Sequence, residues 1–171
     1  MKEKKDIENQ RRMIYVIGIG ASGPKDLPIY LQRKIISAKK IAGPSRILNL
    51  LPQWWNSLNN QLPLPELFKS DKPKELIRLL QESSENTVLL STGDPLWFGI
   101  GRNLIESFPI EELEFHPSPS CLQLAFARIG RHWQDAKWIS LHGRQPDRLG
   151  KILRDKPNAL AIMPDPTRGG F

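Results

Sequence analysis

Short apolar runs and helical patterns take turns along the chain, and no other feature restricts its fold as much. Residues 13–17 are a β-branched run, Met13-Ile14-Tyr15-Val16-Ile17, that stops at Gly18 and predicts a buried strand. Residues 40–43, 87–91, 113–116, 137–141 and 159–162 read as further strands. A helix is predicted to start near Pro28 and to run through Leu31, Ile35 and Ile36, because Pro suits the first turn. Residues 45–51 read as a short helix stopped by Pro52, and residues 74–83 as a helix with Leu76, Leu79 and Leu80 on one face. Further helices are predicted over 98–108 and 146–154. Another is predicted where Leu122, Ala125, Phe126 and Ile129 fall at i, i+3, i+4 and i+7. Residues 52–71, with Trp54, Trp55, Pro63 and Pro65, carry no clear period. Regular strand–helix alternation predicts an α/β fold with a largely parallel sheet.

The chain's 171 residues suffice to bury a core without disulfides or metals. No apolar run approaches the ~18 residues of a membrane helix, and the polar start MKEKKDIENQRR lacks the apolar stretch of a secretory signal. A single cysteine, Cys121, allows neither an internal disulfide nor a multi-cysteine zinc site, so a reducing, cytoplasmic setting is expected. His116, His132 and His142 lack metal-ligand spacing, and no metal is expected. The formal net charge of +7 points to an anionic partner. Residues 1–12 read as a flexible basic tail, and residues 128–171 hold nine Lys/Arg against four Asp.

Four segments invite a chemical reading. Gly18-x-Gly20-x-x-Gly23 follows the first strand, as in a dinucleotide fingerprint. Pro24 and Pro28 push the helix start away from the glycines, and no acidic residue occurs between Leu27 and Pro65 to take ribose hydroxyls. Thr92-Gly93-Asp94-Pro95 sits at another strand's end, where Asp94 suits an N-cap with Pro95 at the first helical position. Ser120 and Gln123 have capping-box spacing, with Cys121 between them and no activating base in the sequence beside it. His142 and Arg144 follow the strand at 137–141, where Arg144 could pair with a carboxylate. Strand C-terminal ends are where open α/β sheets bind ligands.

Three separated segments then converge. They are the loop Val16-Ile17-Gly18-Ile19-Gly20-Ala21-Ser22-Gly23, the run Ser91-Thr92-Gly93-Asp94-Pro95-Leu96-Trp97-Phe98-Gly99-Ile100-Gly101, and the stretch from Pro117 to Arg144. Together they resemble the tetrapyrrole methylase family. The third, with Gly43-Pro44-Ser45-Arg46-Ile47-Leu48, resembles the C5-methylating (CbiE-type) domain of its precorrin-6Y C5,15-methyltransferase branch. The resemblance implies two αβα domains with S-adenosyl-L-methionine in the cleft between them, here an N-terminal domain over 13–116 and a partial second domain over 117–171. It implies cofactor contacts from Ile19, Gly20, Ala21, Gly93, Asp94, Trp97, Ser120 and Cys121, and substrate contacts from His142 and Arg144. Cys121 stands where the family has serine, and Pro119 where it has a branched apolar residue.

A basic protein suits a polycarboxylate tetrapyrrole substrate. The ring supplies the nucleophile, so no activated Ser or Cys is needed. The resemblance further implies a homodimer and a C15-methylating, decarboxylating activity that a separate partner protein could supply; no membrane or nucleic-acid partner is expected. Two other readings stand beside it: an NAD(P)-dependent Rossmann oxidoreductase, and a non-catalytic basic module.

Overall fold

A computed structural model of the protein describes residues 12–58, 62–141 and 147–164. The chain divides into two compact units, Met1–Ser118 and Pro119–Phe171.

Five strands build the first unit: β1 (Ile14–Ile19), β2 (Lys40–Gly43), β3 (Glu66–Lys69), β4 (Thr87–Thr92) and β5 (Leu113–His116). They form one sheet in the order β3-β2-β4-β1-β5, and every pairing is parallel. Parallel neighbours need crossovers, which the helices supply. The central strands β1 and β4 are apolar on both faces, as a doubly covered sheet requires.

The sheet's two faces carry separate cores. On one, Ile17, Ile19, Ile41, Val88 and Leu90 meet α1 (Ile29–Ile36), α2 (Ser45–Leu48) and α3 (Leu51–Ser57) through Leu31, Ile35, Leu48, Leu51, Trp54 and Trp55. On the other, Ile14, Val16, Ala42 and Leu89 meet α4 (Pro73–Glu82) and α5 (Gly101–Ser107) through Leu76, Leu80 and Leu104. The period-2 alternation of β1 and β4 sorts their side chains between these faces. Each fully buried Leu or Ile contributes about 1.5–3 kcal/mol by leaving water.

Three elements depart from the sequence reading. Pro52 does not stop a helix; it lies in the first turn of α3, where its missing N–H leaves no partner wanting. The helix predicted over 98–108 starts only at Gly101, so Asp94 is not its N-cap. Instead, Asp94 Oδ1 accepts from Leu96 N (2.9 Å) and caps a turn. Residues 52–71, without a clear period in sequence, hold α3 and the strand β3.

The second unit contains α6 (Cys121–Arg128), β6 (Lys137–Ser140), α7 (Asp147–Arg154) and β7 (Leu160–Met163), with β6 and β7 paired in parallel. The capping box at α6 is complete: Ser120 Oγ accepts from Gln123 N (3.3 Å), and Ser120 N donates to Gln123 Oε1 (2.8 Å). Leu122 and Phe126 are buried as the period predicts, but Ala125 on the same predicted face is exposed. Ile129 is 68% exposed, because α6 ends at Arg128 and the chain turns away at Gly130, whose φ is +64°.

Candidate functional site

The carboxyl ends of β1 and β4 lie side by side, and the chain leaves them toward opposite faces of the sheet. From β1 it goes to α1 on the first face, and from β4 to α5 on the second. Such a switch point parts the two loops and opens a crevice above the strands.

Backbone contacts fix this rim. Gly93 N donates to Ile19 O (3.0 Å), and Gly93 O accepts from Ser118 N (3.1 Å). Ser118 Oγ donates to Gly18 O (2.8 Å). The loops after β1, β4 and β5 are thus tied through one glycine, which holds φ at +59°. The approach is close enough that a Cβ on Gly18 would lie 1.8 Å from Gly93 O. Of the three glycines in the Gly18-x-Gly20-x-x-Gly23 pattern, Gly18 carries the steric demand, while a Cβ at Gly20 would meet nothing within 4 Å.

The structure brings six of the sequence-predicted residues to this rim: Ile19, Gly20, Ala21, Gly93, Asp94 and Trp97. Ile19 is a core residue, 1% exposed. Gly20 and Ala21 open the loop beyond it, with Ala21 exposed and free space beside Gly20. The N–H and C=O of Gly93 are both engaged within the fold, so what it offers a ligand is the absence of a side chain. Asp94 is half-buried, and its carboxylate lies one turn from Trp97, whose N–H donates to Asp94 O (3.1 Å). The Trp97 ring meets Phe98 edge-on at 4.8 Å. Phe98 holds a φ of +53°, a strained conformation for an aromatic residue. Ser91, next to Thr92 on β4, is 7% exposed, and its buried Oγ has no hydrogen-bond partner.

Ser120 and Cys121 belong to the second unit. Ser120 is buried with its hydroxyl in the α6 cap, and Cys121 is a free, exposed thiol at the first position of α6. His142 and Arg144 lie outside the described residues. Among the described residues no three His, Cys, Asp or Glu side chains gather into a metal site, and no helix is long and apolar enough to cross a membrane. His116, at the end of β5, sits with Nε2 at 2.7 Å from Glu114 Oε1, out of line for a hydrogen bond, and with the Tyr30 ring edge-on at 5.9 Å.

Sequence reasoning missed two features of the rim. Ser118 ties β5 to β1, and only its place after a strand end hinted at this. Arg46, at the start of α2, donates to Thr92 Oγ1 (3.1 Å) at the tip of β4. Another cation nearby, Lys72, is matched: Glu75 takes hydrogen bonds from Lys72 and Ser70, which hold its carboxyl below the ordinary glutamate range.

A cavity of about 520 Å³ opens at the opposite, amino-terminal rim, lined by Arg12, Tyr15, Lys34, Lys39 and Glu85 among others. Its charged groups are already paired, Arg12 with Glu112, Lys34 with Glu114 and Lys39 with Glu85. The carboxyl-terminal rim is therefore the better candidate for binding, on chemistry as well as topology.

The geometry opposes a dinucleotide site. A short 3-10 helix, Gly23–Asp26, follows the glycines, and α1 begins only at Ile29, so no α-helix N-terminus faces a phosphate at the loop.

The profile of the family described as Tetrapyrrole (Corrin/Porphyrin) Methylases matches residues 13–169. A precorrin-6Y C(5,15)-methyltransferase [decarboxylating] of Sinorhizobium is 30% identical over 151 residues, which are 88% of this chain and 35% of that protein. A cobalt-precorrin-7 C(5)-methyltransferase of Salmonella typhimurium is 29% identical over 77% of this chain and 62% of its own length. The chain thus spans about a third to under two thirds of these curated relatives. The crystal structure of a cobalamin biosynthesis precorrin-6Y methylase (cbiE) from Archaeoglobus fulgidus aligns with a TM-score of 0.59 at 26% identity, over 79% of this chain and 67% of that one. These comparisons support neither a nicotinamide-dependent oxidoreductase nor a non-catalytic basic module.

Proposed function

The chain belongs to the tetrapyrrole (corrin/porphyrin) methylase family, and from that premise we propose that it is an S-adenosylmethionine-dependent methyltransferase acting at C5 of a precorrin in cobalamin biosynthesis. The observation that carries the choice of C5 is what the relatives share. The Sinorhizobium relative is named for C5 and C15, the shorter Salmonella relative for C5 alone, and this chain matches both over most of its own length. The common part of their names goes with the common part of their sequences.

The residues at the rim suit the cofactor. Free space at Gly20 and exposed Ala21 admit a flat group close to the backbone. Asp94 supplies a carboxylate for hydroxyl or cationic groups, and Trp97 a ring for stacking. Ile19 and Gly93 shape the floor between them. Ser120 and Cys121 are proposed to contribute from the start of α6, and His142 and Arg144 toward the substrate. When bound, S-adenosylmethionine supplies a sulfonium methyl group as electrophile. The protein's part is to hold the ring carbon in line with that methyl and to exclude water, a positioning role. The electron-rich macrocycle provides the nucleophile, which agrees with Cys121 having no base assigned to activate it.

The family resemblance supports a homodimer, and the lone cysteine a cytoplasmic setting. The C5-only relative supports leaving C15 methylation and decarboxylation to another protein.

Calorimetry with S-adenosylhomocysteine tests the reading. Saturable binding is expected, weakened at least about tenfold by Asp94→Ala through loss of a charge-assisted contact. A folded sample that releases no heat overturns it.

A further inference from the structure

We infer that Arg46 and Lys69 form a carboxylate-recognition ledge on the carboxyl-terminal rim, taking acidic side chains of the tetrapyrrole on either side of β2. This rests on the methyltransferase reading for the identity of the ligand, but its argument is separate.

The argument is an asymmetry of charge pairing within the first unit. At the amino-terminal rim the cations meet carboxylates: Arg12 with Glu112 (2.9 Å), Lys39 with Glu85 (2.8 Å), Lys40 with Glu66 (3.6 Å) and Lys34 with Glu114 (3.4 Å). At the other rim Arg46 and Lys69 meet only neutral oxygens. The Arg46 Nη2 donates to Thr92 Oγ1 (3.1 Å), and Lys69 Nζ donates to Asn49 Oδ1 (2.7 Å). Among the described residues neither forms an ion pair. The carboxylates near them are turned to the backbone: Asp71 Oδ1 accepts from Ser45 N (3.1 Å), and Asp94 Oδ1 accepts from Leu96 N (2.9 Å).

Both cations are therefore aimed without being neutralised. Arg46 is held by one nitrogen, which leaves Nε and Nη1 with donors for a carboxylate. Arg46 and Asn49 stand three residues apart across the end of α2, so they are neighbours, and each leans to a different strand. Arg46 reaches β4 beside the Gly93–Asp94 loop, and Asn49 anchors Lys69 on β3. Fixed, exposed and unmatched cations beside the cofactor crevice suit a ligand that carries several carboxylates around a rigid ring.

The test uses the 171-residue chain and uroporphyrin, a polycarboxylate tetrapyrrole, followed by quenching of tryptophan fluorescence. Arg46→Gln should weaken uroporphyrin binding about tenfold, and Arg46→Gln/Lys69→Gln further still. Arg46→Lys should restore part of the loss, because it returns charge without the planar fork. Lys39→Gln, at the other rim, should leave binding unchanged. Equal uroporphyrin binding by the double variant and the parent overturns the ledge. So does an equal loss on Lys39→Gln, which would show net charge alone at work, or a parent that binds no uroporphyrin. A parent that binds uroporphyrin through Arg46 and Lys69 but not S-adenosylhomocysteine keeps the ledge and overturns the methyltransferase reading.

Discussion

The two rims of the parallel sheet solve the same problem, how to tie five strand ends together, by different means. At the amino-terminal rim side-chain ion pairs, from Arg12–Glu112 to Lys40–Glu66, add to backbone hydrogen bonds such as Thr87 N to Met13 O and Glu66 N to Lys39 O. At the carboxyl-terminal rim the ties are backbone contacts among Gly18, Gly93 and Ser118, and the nearby cations Arg46 and Lys69 are left without counter-charges. Exposed ion pairs are worth about 0–1 kcal/mol each and tolerate replacement. A backbone contact with no room for a methyl group does not. The rim proposed to hold the cofactor is thus the one built from glycine.

Gly18→Ala should break this contrast most severely. Its Cβ would have to displace Gly93 O from 1.8 Å, and it would also press on Ser118 N at 2.9 Å. Both neighbours are backbone, so neither can rotate away. A loss of about 3 kcal/mol or more is expected from overpacking and a broken rim, read as a lower urea midpoint. A loss comparable to that of a surface substitution would mean the rim is looser than its contacts imply.

Next comes Gly93→Ala. The residue holds φ at +59°, and an L side chain there costs about 1–2 kcal/mol. Ser118→Ala should cost less, about 1 kcal/mol, because it removes one hydrogen bond to Gly18 O and leaves the Ser118 N–H tie intact. Both changes act on the rim that is proposed to hold cofactor. S-adenosylhomocysteine affinity should therefore fall in each, whereas Lys39→Gln leaves it untouched. Equal effects of Ser118→Ala and Lys39→Gln on that affinity would erase the distinction between the rims.

How much of this was legible in sequence follows from the range of the forces involved. The strands at 40–43 and 113–116 could be read to the residue, because short segments with apolar residues, bounded by Gly or Pro, encode them locally. The α6 capping box could be read as well, since it is a matter of spacing within four residues. What escaped was non-local or ambiguous. Pro52 can stop a helix or open one, and only the burial of Leu51, Trp54 and Trp55 under the sheet decides for opening. The late start of α5 is set by Pro95 O, which accepts from Gly101 N and leaves no space for a Cβ at Gly99 or Gly101. At the site, the six rim residues come from the family resemblance, on the segments 16–23 and 91–101 that lie at the ends of β1 and β4. The role of Gly18 depends on a contact with residue 93 and a hydrogen bond from residue 118, and no local pattern records either.

The smallest expected effect lies at the amino-terminal rim. The Lys39 hydrogen bond holds the Glu85 carboxyl below its ordinary range and, reciprocally, holds the Lys39 ammonium above its own. Glu85 therefore contributes stability fully above the ordinary glutamate pKa of about 4.3, lost as pH falls through its lower folded value. Lys39 contributes below the ordinary lysine pKa of about 10.4, lost as pH rises through its higher folded value. Between those limits the pair should add a flat, slight stabilisation, because both side chains are more than half exposed, 77% and 53%. Carboxyl-carbon NMR titration should place the Glu85 midpoint below that of a free glutamate, and Lys39→Gln should return it toward the ordinary value. Added salt should do the same in part. A Glu85 midpoint indifferent to Lys39→Gln would mean that the amino-terminal rim is not held by charge, and the contrast between the rims would then rest on the glycine contacts alone.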